Sequence, residues 1–148
     1  MTASSRTLQH VGEWKVELRA DSLEQLFVEL ARVIAGETGA RSATRSPTTT
    51  WERVAIESRD YPALLVDWAN ELIGRSEILE CAYGDVRSLR LEPGPDRPPR
   101  ANEPVRLSAE VRGQPVEEWR SALKAATYHE VLVEHTDGEW RGEVLFDV

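Results

Sequence analysis

The residues that most restrict this chain are Asp137-Gly138, a dipeptide set between two stretches of alternating apolar and polar residues. Asp-Gly in that setting specifies a two-residue hairpin of type I′, which needs positive φ at both central positions. On the return strand Trp140, Gly142, Val144, Phe146 and Val148 alternate with Arg141, Glu143, Leu145 and Asp147. A period of two sends successive side chains to opposite faces of a sheet. The segment Leu123–Val148 therefore reads as two antiparallel strands. It closes on Asp147-Val148, which sets a side-chain carboxylate beside the α-carboxylate.

The rest of the chain supplies partners for that hairpin. Residues before about Leu8 read as a flexible lead, 1–7, with the domain spanning 8–148. Trp14, Val16, Leu18 and Ala20 alternate with Lys15, Glu17 and Arg19, the mark of a half-buried strand. Ser22 and Gln25 have capping-box spacing, and Leu23, Leu26, Phe27, Leu30, Ala31 and Ile34 then recur at helical intervals up to Gly36. Glu37–Thr50 is rich in Ser, Thr and Gly and reads as a connector. Trp51–Ser58 reads as a strand with Val54 and Ile56 inward. Asp60-Tyr61-Pro62 opens a second helix, with Leu64, Leu65, Trp68, Ala69, Leu72 and Ile73 as its apolar face. Glu77–Leu91 reads as extended, with Gly84 a bulge or break.

Residues 92–104 hold five of the eight prolines and exclude both helix and strand. Their Pro95 and Pro98 have PxxP spacing, but so short a match is cheap, and a stiff insertion is the reading taken. Val105, Leu107, Ala109 and Val111 alternate again, and Gln114–Ala122 reads as a connector or short helix pinned by Trp119. The order implies an α+β fold: one domain of mostly antiparallel β-sheet with two amphipathic helices packed on it.

Bulk composition excludes several function classes. The formal net charge is −8, which argues against sequence-independent binding to phosphate backbones, although a local basic patch stays open. Cys81 is the single cysteine, so no intrachain disulfide forms and a reducing compartment is expected. No apolar run has the length of a signal peptide core or a membrane span. The expectation is a cytoplasmic protein that does not engage membranes. Of the 18 basic residues only Lys15 and Lys124 are lysines, and a lysine among arginines marks a place suited to a compact, titratable ammonium.

No phosphate-binding glycine loop, CxxC pair or helical HExxH is present, and nothing places a nucleophile against a base. His129 follows Thr127-Tyr128 on a strand, and His135 precedes the turn. Trp14, Trp68 and Trp140 fall on faces assigned to the core. The strongest constellation joins the two chain ends. His10 and Glu13 lie before or within the first strand, and Asp147 and the Val148 carboxylate close the last. If those strands are neighbours, three acidic groups meet at one edge, where like charges repel unless a cation holds them together. Hard oxygen donors suit Ca²⁺, Mg²⁺ or Mn²⁺. Read from the residues alone, ordinary solvated carboxylates at strand ends account for the pattern as well.

The run Lys124-Ala-Ala-Thr-Tyr-His129, followed by an apolar strand, a DG turn, a Trp and a terminal Asp-Val, resembles the archease family. His10-Val-Gly-Glu13 stands where that family has His-Thr-Ala-Asp, and Leu23–Phe27 follows at the family's spacing. The helix Leu64–Leu72 is also similar, so the resemblance runs from about Leu8 to Val148. It implies an accessory protein of the GTP-dependent tRNA-splicing RNA ligase, one that promotes guanylylation and turnover of the ligase and is not itself an enzyme. RNA would be engaged only indirectly, and the oligomeric state is open.

The resemblance also implies a divalent cation, Ca²⁺ foremost with Mg²⁺ and Mn²⁺ as alternatives, held by Glu13, Asp147 and Val148. Lys124 falls on a lysine associated with activity, and His129 and His10 are further candidate functional residues. Glu13 replaces the family's Asp and keeps its charge and donor type on a longer arm, so a looser geometry is expected. Lys15 replaces a glycine and would set a positive charge beside the site, lessening the need for metal. The alternative reading is a metal-free adaptor or chaperone-like binding module of the same fold.

Overall fold

The alternating segments pair as their periodicity requires. The computed structural model describes residues 2–10, 12–41, 50–120 and 123–148. In chain order its elements are β1 (Ala3–His10), β2 (Glu13–Ala20), α1 (Leu23–Gly36), β3 (Gly39–Arg41), β4 (Glu52–Ser58), α2 (Tyr61–Leu79), β5 (Cys81–Glu92), β6 (Val105–Trp119), β7 (Ala125–Thr136) and β8 (Glu139–Asp147). The fold is α+β, as expected, but the strands divide into two antiparallel sheets. The first has the order β1-β2-β8-β7; the second is centred on β6, which pairs with β3, β4 and β5. No helix among the described residues is long and apolar enough to cross a membrane.

Both helices pack against both sheets. Val16, Leu18, Val144 and Phe146 of the first sheet and Val54, Val105, Leu107 and Val111 of the second join Leu26, Phe27, Leu30, Leu64, Leu65 and Trp68 in one buried cluster. This explains why α2 buries four consecutive residues, Ala63 to Val66. A helix covered on one side buries a single stripe, whereas one flanked by two sheets is apolar over most of its circumference. The expected caps are formed. Ser22 accepts from the Gln25 N–H at 3.3 Å and Asp60 from the Ala63 N–H at 2.9 Å. The Trp68 indole donates to the Phe27 carbonyl at 2.8 Å, tying the helices together inside the core.

The boundaries differ from expectation where polar sequence conceals pairing. Ala3–Thr7, read as a lead, belongs to β1 and pairs with β2 from Ala3–Ala20 to His10–Glu13. These residues carry no apolar alternation because the strand lies at the sheet edge. Backbone pairing and polar ties hold it, among them Arg6 on Glu17 at 3.0 Å and the Thr2 N–H on Asp21 at 2.8 Å. Gln114–Trp119 continues β6 rather than forming a connector or helix, since β5 and β3 pair with it despite Pro115. Residues 77–79 finish α2, and the extended run starts at Cys81. The connector 37–50 holds the short β3, and its residues 42–49 lie outside the described residues, as do Ser121 and Ala122.

The two glycines that carried structural weight are accounted for. Asp137 and Gly138 have φ of 55° and 75°, the left-handed pair a type I′ turn demands. Gly84 lies in a register shift of β5 between Ala82 and Asp85. A Cβ there would fall 2.8 Å from the Ala35 Cβ of α1, so the helix sits where a side chain would be.

Of the proline-rich segment 92–104, Glu92 ends β5, paired with Arg106, and residues 93–104 are neither helix nor strand and are clasped at both ends. Gly94 N–H donates to the Tyr61 hydroxyl at 3.0 Å. Arg97 grips both oxygens of Glu103 at 2.8 and 2.7 Å, and the Arg100 N–H adds a third bond at 2.8 Å.

Two outcomes follow. Gly84→Ala should lower stability in urea by about 1–3 kcal/mol through overpacking. Gly74→Ala, at a helical position with open space around it, should raise it by up to about 1 kcal/mol. The Arg97 and Arg100 bonds hold the Glu103 carboxyl at about 2, below its ordinary value of 4.5. A depressed carboxylate favours the folded form above the unfolded value and loses that advantage as pH falls through the folded one. The clasp should therefore persist from neutral pH through 4.5 and open only near 2, as followed by NMR titration of the Arg97 and Arg100 signals.

Candidate functional site

The antiparallel pairing of β2 with β8 sets Glu13 directly opposite Asp147. Directly paired residues share a face of the sheet, with Cβ atoms about 5 Å apart. Asp147-Val148 is held from both sides. Lys124 N–H donates to the Asp147 carbonyl at 2.8 Å, and Val148 N–H donates to the Gly12 carbonyl at 3.3 Å. Gly12 has φ of 76° and leads directly into Glu13. The strand behind Lys124 is fixed by α2, where the Asn70 amide accepts from the Ala126 N–H at 2.8 Å and donates to the Ala126 carbonyl at 3.1 Å. At Ala126 the outer edge of β7 is thus capped by a side chain that pairs with its backbone as a further strand would.

The electrostatics of this face isolate one pair. Along β2 and β8, three cross-strand partners carry like charge: Arg19 with Arg141, Glu17 with Glu143, and Glu13 with Asp147. Like charges directly opposite destabilise a sheet, and two of the three are compensated. Arg19 meets Glu139 at 2.9 Å, and Arg141 meets Glu134 at 3.0 Å and Glu143 at 3.6 Å. Glu17 meets Arg6 at 3.0 Å, and Glu143 meets Lys15 at 3.0 Å. The hydrogen bond to Glu143 raises the Lys15 pKa, and that from Arg6 lowers the Glu17 carboxyl. Glu13 and Asp147 have neither hydrogen bond nor ion pair from their carboxylates among the described residues. Lys15 does stand one step along the same face, but its ammonium is committed to Glu143.

The remaining candidates separate. Lys124 reaches the site through its backbone, with its exposed ammonium in no ion pair among the described residues. His10 stands opposite Glu13 in the β1–β2 ladder. His129 lies further along β7, exposed, in the register shift between Thr127 and Leu132, 4.0 Å from Glu130. Its neighbour Tyr128 turns to α2, and its hydroxyl donates to Asp67, which also accepts from Ser58. The bond to Asp67, with burial behind it, pushes the Tyr128 hydroxyl above its ordinary value. Ser58, Arg59, Ala63, Asp67 and Tyr128 line a cavity of about 220 Å³. Asp67 was not singled out in the sequence, because α2 also carries Glu71 and Glu77 and its partners Tyr128 and Ser58 come from other elements.

Among the described residues no three His, Cys, Asp or Glu side chains gather as metal ligands. The side-chain donors that the strand pairing brings together at this edge are the carboxylates of Glu13 and Asp147. Hard oxygens of this number fit Ca²⁺, Mg²⁺ or Mn²⁺ in charge and type, and they underfill the six to eight positions that Ca²⁺ takes.

A model of the archease protein family matches residues 6–148. An archease of Methanopyrus kandleri is 29% identical over 149 residues, covering 95% of this chain and 96% of that protein. An archease of Methanosarcina mazei is 25% identical over 143 residues, covering 95% and 93%. The solution structure of protein 1598 of Methanobacterium thermoautotrophicum superimposes with a TM-score of 0.71 at 19% identity, covering 97% of this chain and 98% of that one. The crystal structure of an archease of Thermotoga maritima, described as a possible chaperone, does so with a TM-score of 0.61 at 19% identity, covering 97% and 96%.

The uncompensated pair makes a prediction about sign. In the presence of chelator, Glu13→Gln should raise stability by about 0.2–1 kcal/mol, because it removes a like-charge contact. Glu17→Gln, which breaks into a compensated set, should lower it by up to about 1 kcal/mol. Urea denaturation of the two variants beside the wild type measures both.

Proposed function

The chain belongs to the archease family, and on that premise we propose that it holds a divalent cation between β2 and β8 and serves a GTP-dependent RNA-splicing ligase as an activator. The observation that supports this reading is the Glu13–Asp147 pair, the like-charge contact on its face that no described side chain neutralises. A bound cation removes the repulsion and turns a destabilising pair into a site.

Glu13 and Asp147 would hold the ion with the Val148 α-carboxylate, Ca²⁺ being the first choice. When bound, the ion supplies a fixed positive charge for phosphate or carboxylate oxygens. Coordination positions left to water are positions that a partner's own oxygens can take, so an underfilled site suits a protein that acts on another. Lys124 lies beside the same strand end and adds an ammonium to the surface that would meet the ligase. In this reading the chain works in the cytoplasm, performs no ligation and engages RNA only through its partner.

The first test is ligand-linked stability, since an ion that binds only the folded form stabilises it by about 2.7 kcal/mol at a hundred times its Kd. Ca²⁺ or Mn²⁺ should raise the melting temperature of the wild type, and Glu13→Gln or Asp147→Asn should abolish the increase. A C-terminal extension should weaken it while leaving the fold intact. The second test is functional: adding the chain to a ligase from the same source, with GTP and Mn²⁺, should increase the rate of guanylylation. Metal binding without any such gain overturns the activator role. A gain that persists without metal binding points to the adaptor.

A further inference from the structure

A different surface, on the other sheet, carries its own charge anomaly. The outer face of the second sheet is a row of arginines and acids, and most are matched. Arg106 meets Glu57 at 2.8 Å, Arg87 meets Glu110 at 3.2 Å, and Arg112 meets Asp85 at 3.3 Å. The guanidiniums of Arg87 and Arg112 also cover the Trp51 ring at 4.1 and 4.4 Å. Arg53 of β4, Arg90 of β5 and, of the acids, Glu92 at the end of β5 are exceptions. The two arginines are exposed, and neither guanidinium forms an ion pair or hydrogen bond among the described residues.

These two arginines converge across β6. Ser108 has Ala55 as its partner on one side and Arg90 on the other, and Arg53 is opposite Glu110, two residues along. The strands β4 and β5 are therefore about 10 Å apart with β6 between them, within reach of two long side chains. Small residues leave the space open beneath them. Two adjoining cavities, of about 350 and 430 Å³, have Arg53, Arg90 and Ser108 in common. In the larger, Glu110, already held by Arg87, is the one carboxylate among the described lining residues. In the smaller, Arg106 joins Arg53 and Arg90 against Glu57 and Glu92. Either way the local balance is positive, in a chain of net charge −8.

We propose that Arg53 and Arg90, over the Ser108 floor, form a binding cleft for a phosphate group. Arginine stays protonated at any working pH, and its planar fork matches phosphate oxygens two at a time. Two such forks suit a dianion better than a single carboxylate, and the Ser88 and Ser108 hydroxyls in the lining of the larger cavity offer donors. The phosphate could belong to a polynucleotide strand or to a free nucleotide or inorganic anion. The cleft lies on the opposite sheet from the Glu13–Asp147 edge, so it stands or falls independently of the cation site.

The test is an amide and arginine side-chain NMR titration of the full chain at low salt with three probes: inorganic pyrophosphate, GTP and a short oligouridylate. At least one should shift the Arg53, Arg90 and Ser108 signals saturably. Each of Arg53→Gln and Arg90→Gln should weaken that binding by about tenfold, with unchanged melting temperatures because neither side chain has a partner to lose. Arg6→Gln, the same charge change on the other sheet, should leave it intact. Tighter binding of oligouridylate, with a salt slope that falls by about two in the double variant, identifies a polynucleotide; parity among the probes identifies a free anion. No saturable shift with any probe, shifts that survive the double variant, or tighter binding of polyglutamate than of all three overturns the proposal.

Discussion

The pairing of the second strand with the last is the constraint on which the rest of this structure depends. β2 and β8 lie side by side through their whole length, from Glu13–Asp147 to Ala20–Trp140. That contact turns two hairpins, one at each end of the chain, into one four-stranded sheet. It builds the apolar floor of Val16, Leu18, Val144 and Phe146 on which the helices rest. Because a slip of one residue would turn every side chain to the wrong face, the buried side fixes the register. The exposed side inherits whatever charges that register brings together.

On that exposed side the same ladder shows how charge is ordinarily managed. Arg19 with Arg141 and Glu17 with Glu143 are unfavourable contacts in themselves, and diagonal or flanking partners neutralise both. At the end of the ladder the pattern stops. Among the described residues Glu13 and Asp147 are left with each other, the Asp147 carbonyl accepting from the Lys124 N–H and the adjoining Val148 N–H donating to Gly12. On the second sheet Arg53 and Arg90 are, among the described residues, without a partner beside three matched arginine–acid pairs. In both sheets, compensation elsewhere on the face is what gives the exception its meaning.

Elements with apolar periodicity were legible from sequence and those without it were not. β2, α1, the start of α2 and the β7–β8 hairpin follow from alternation, helical spacing and the Asp-Gly turn, since each buries one face or stripe. β1 and the far half of β6 were hidden. Their residues are polar or include Pro115, and their strand character comes from partners supplied elsewhere in the chain. Similarly, Leu64–Leu72 announces a helix, but the second buried side of α2 appears only once a second sheet covers it. At the site, Glu13, Asp147 and Lys124 could be nominated from the two chain ends. The commitment of Lys15 to Glu143 and the turn of Tyr128 toward Asp67 could not, because both depend on neighbours set by packing.

The sequence by itself determined the α+β class, the hairpin turn with its two left-handed residues, the capped helices and the presence of acids where the first strand begins and the last one ends. These are local properties, written in periodicity and in the conformational preferences of single residues. Only the tertiary structure decided that Glu13 and Asp147 are direct partners and that the lysine beside them answers to another acid. It also decided that the strands make two sheets rather than one. The physical reason is that charge compensation is a property of neighbours in space, and strand register alone settles which residues those are.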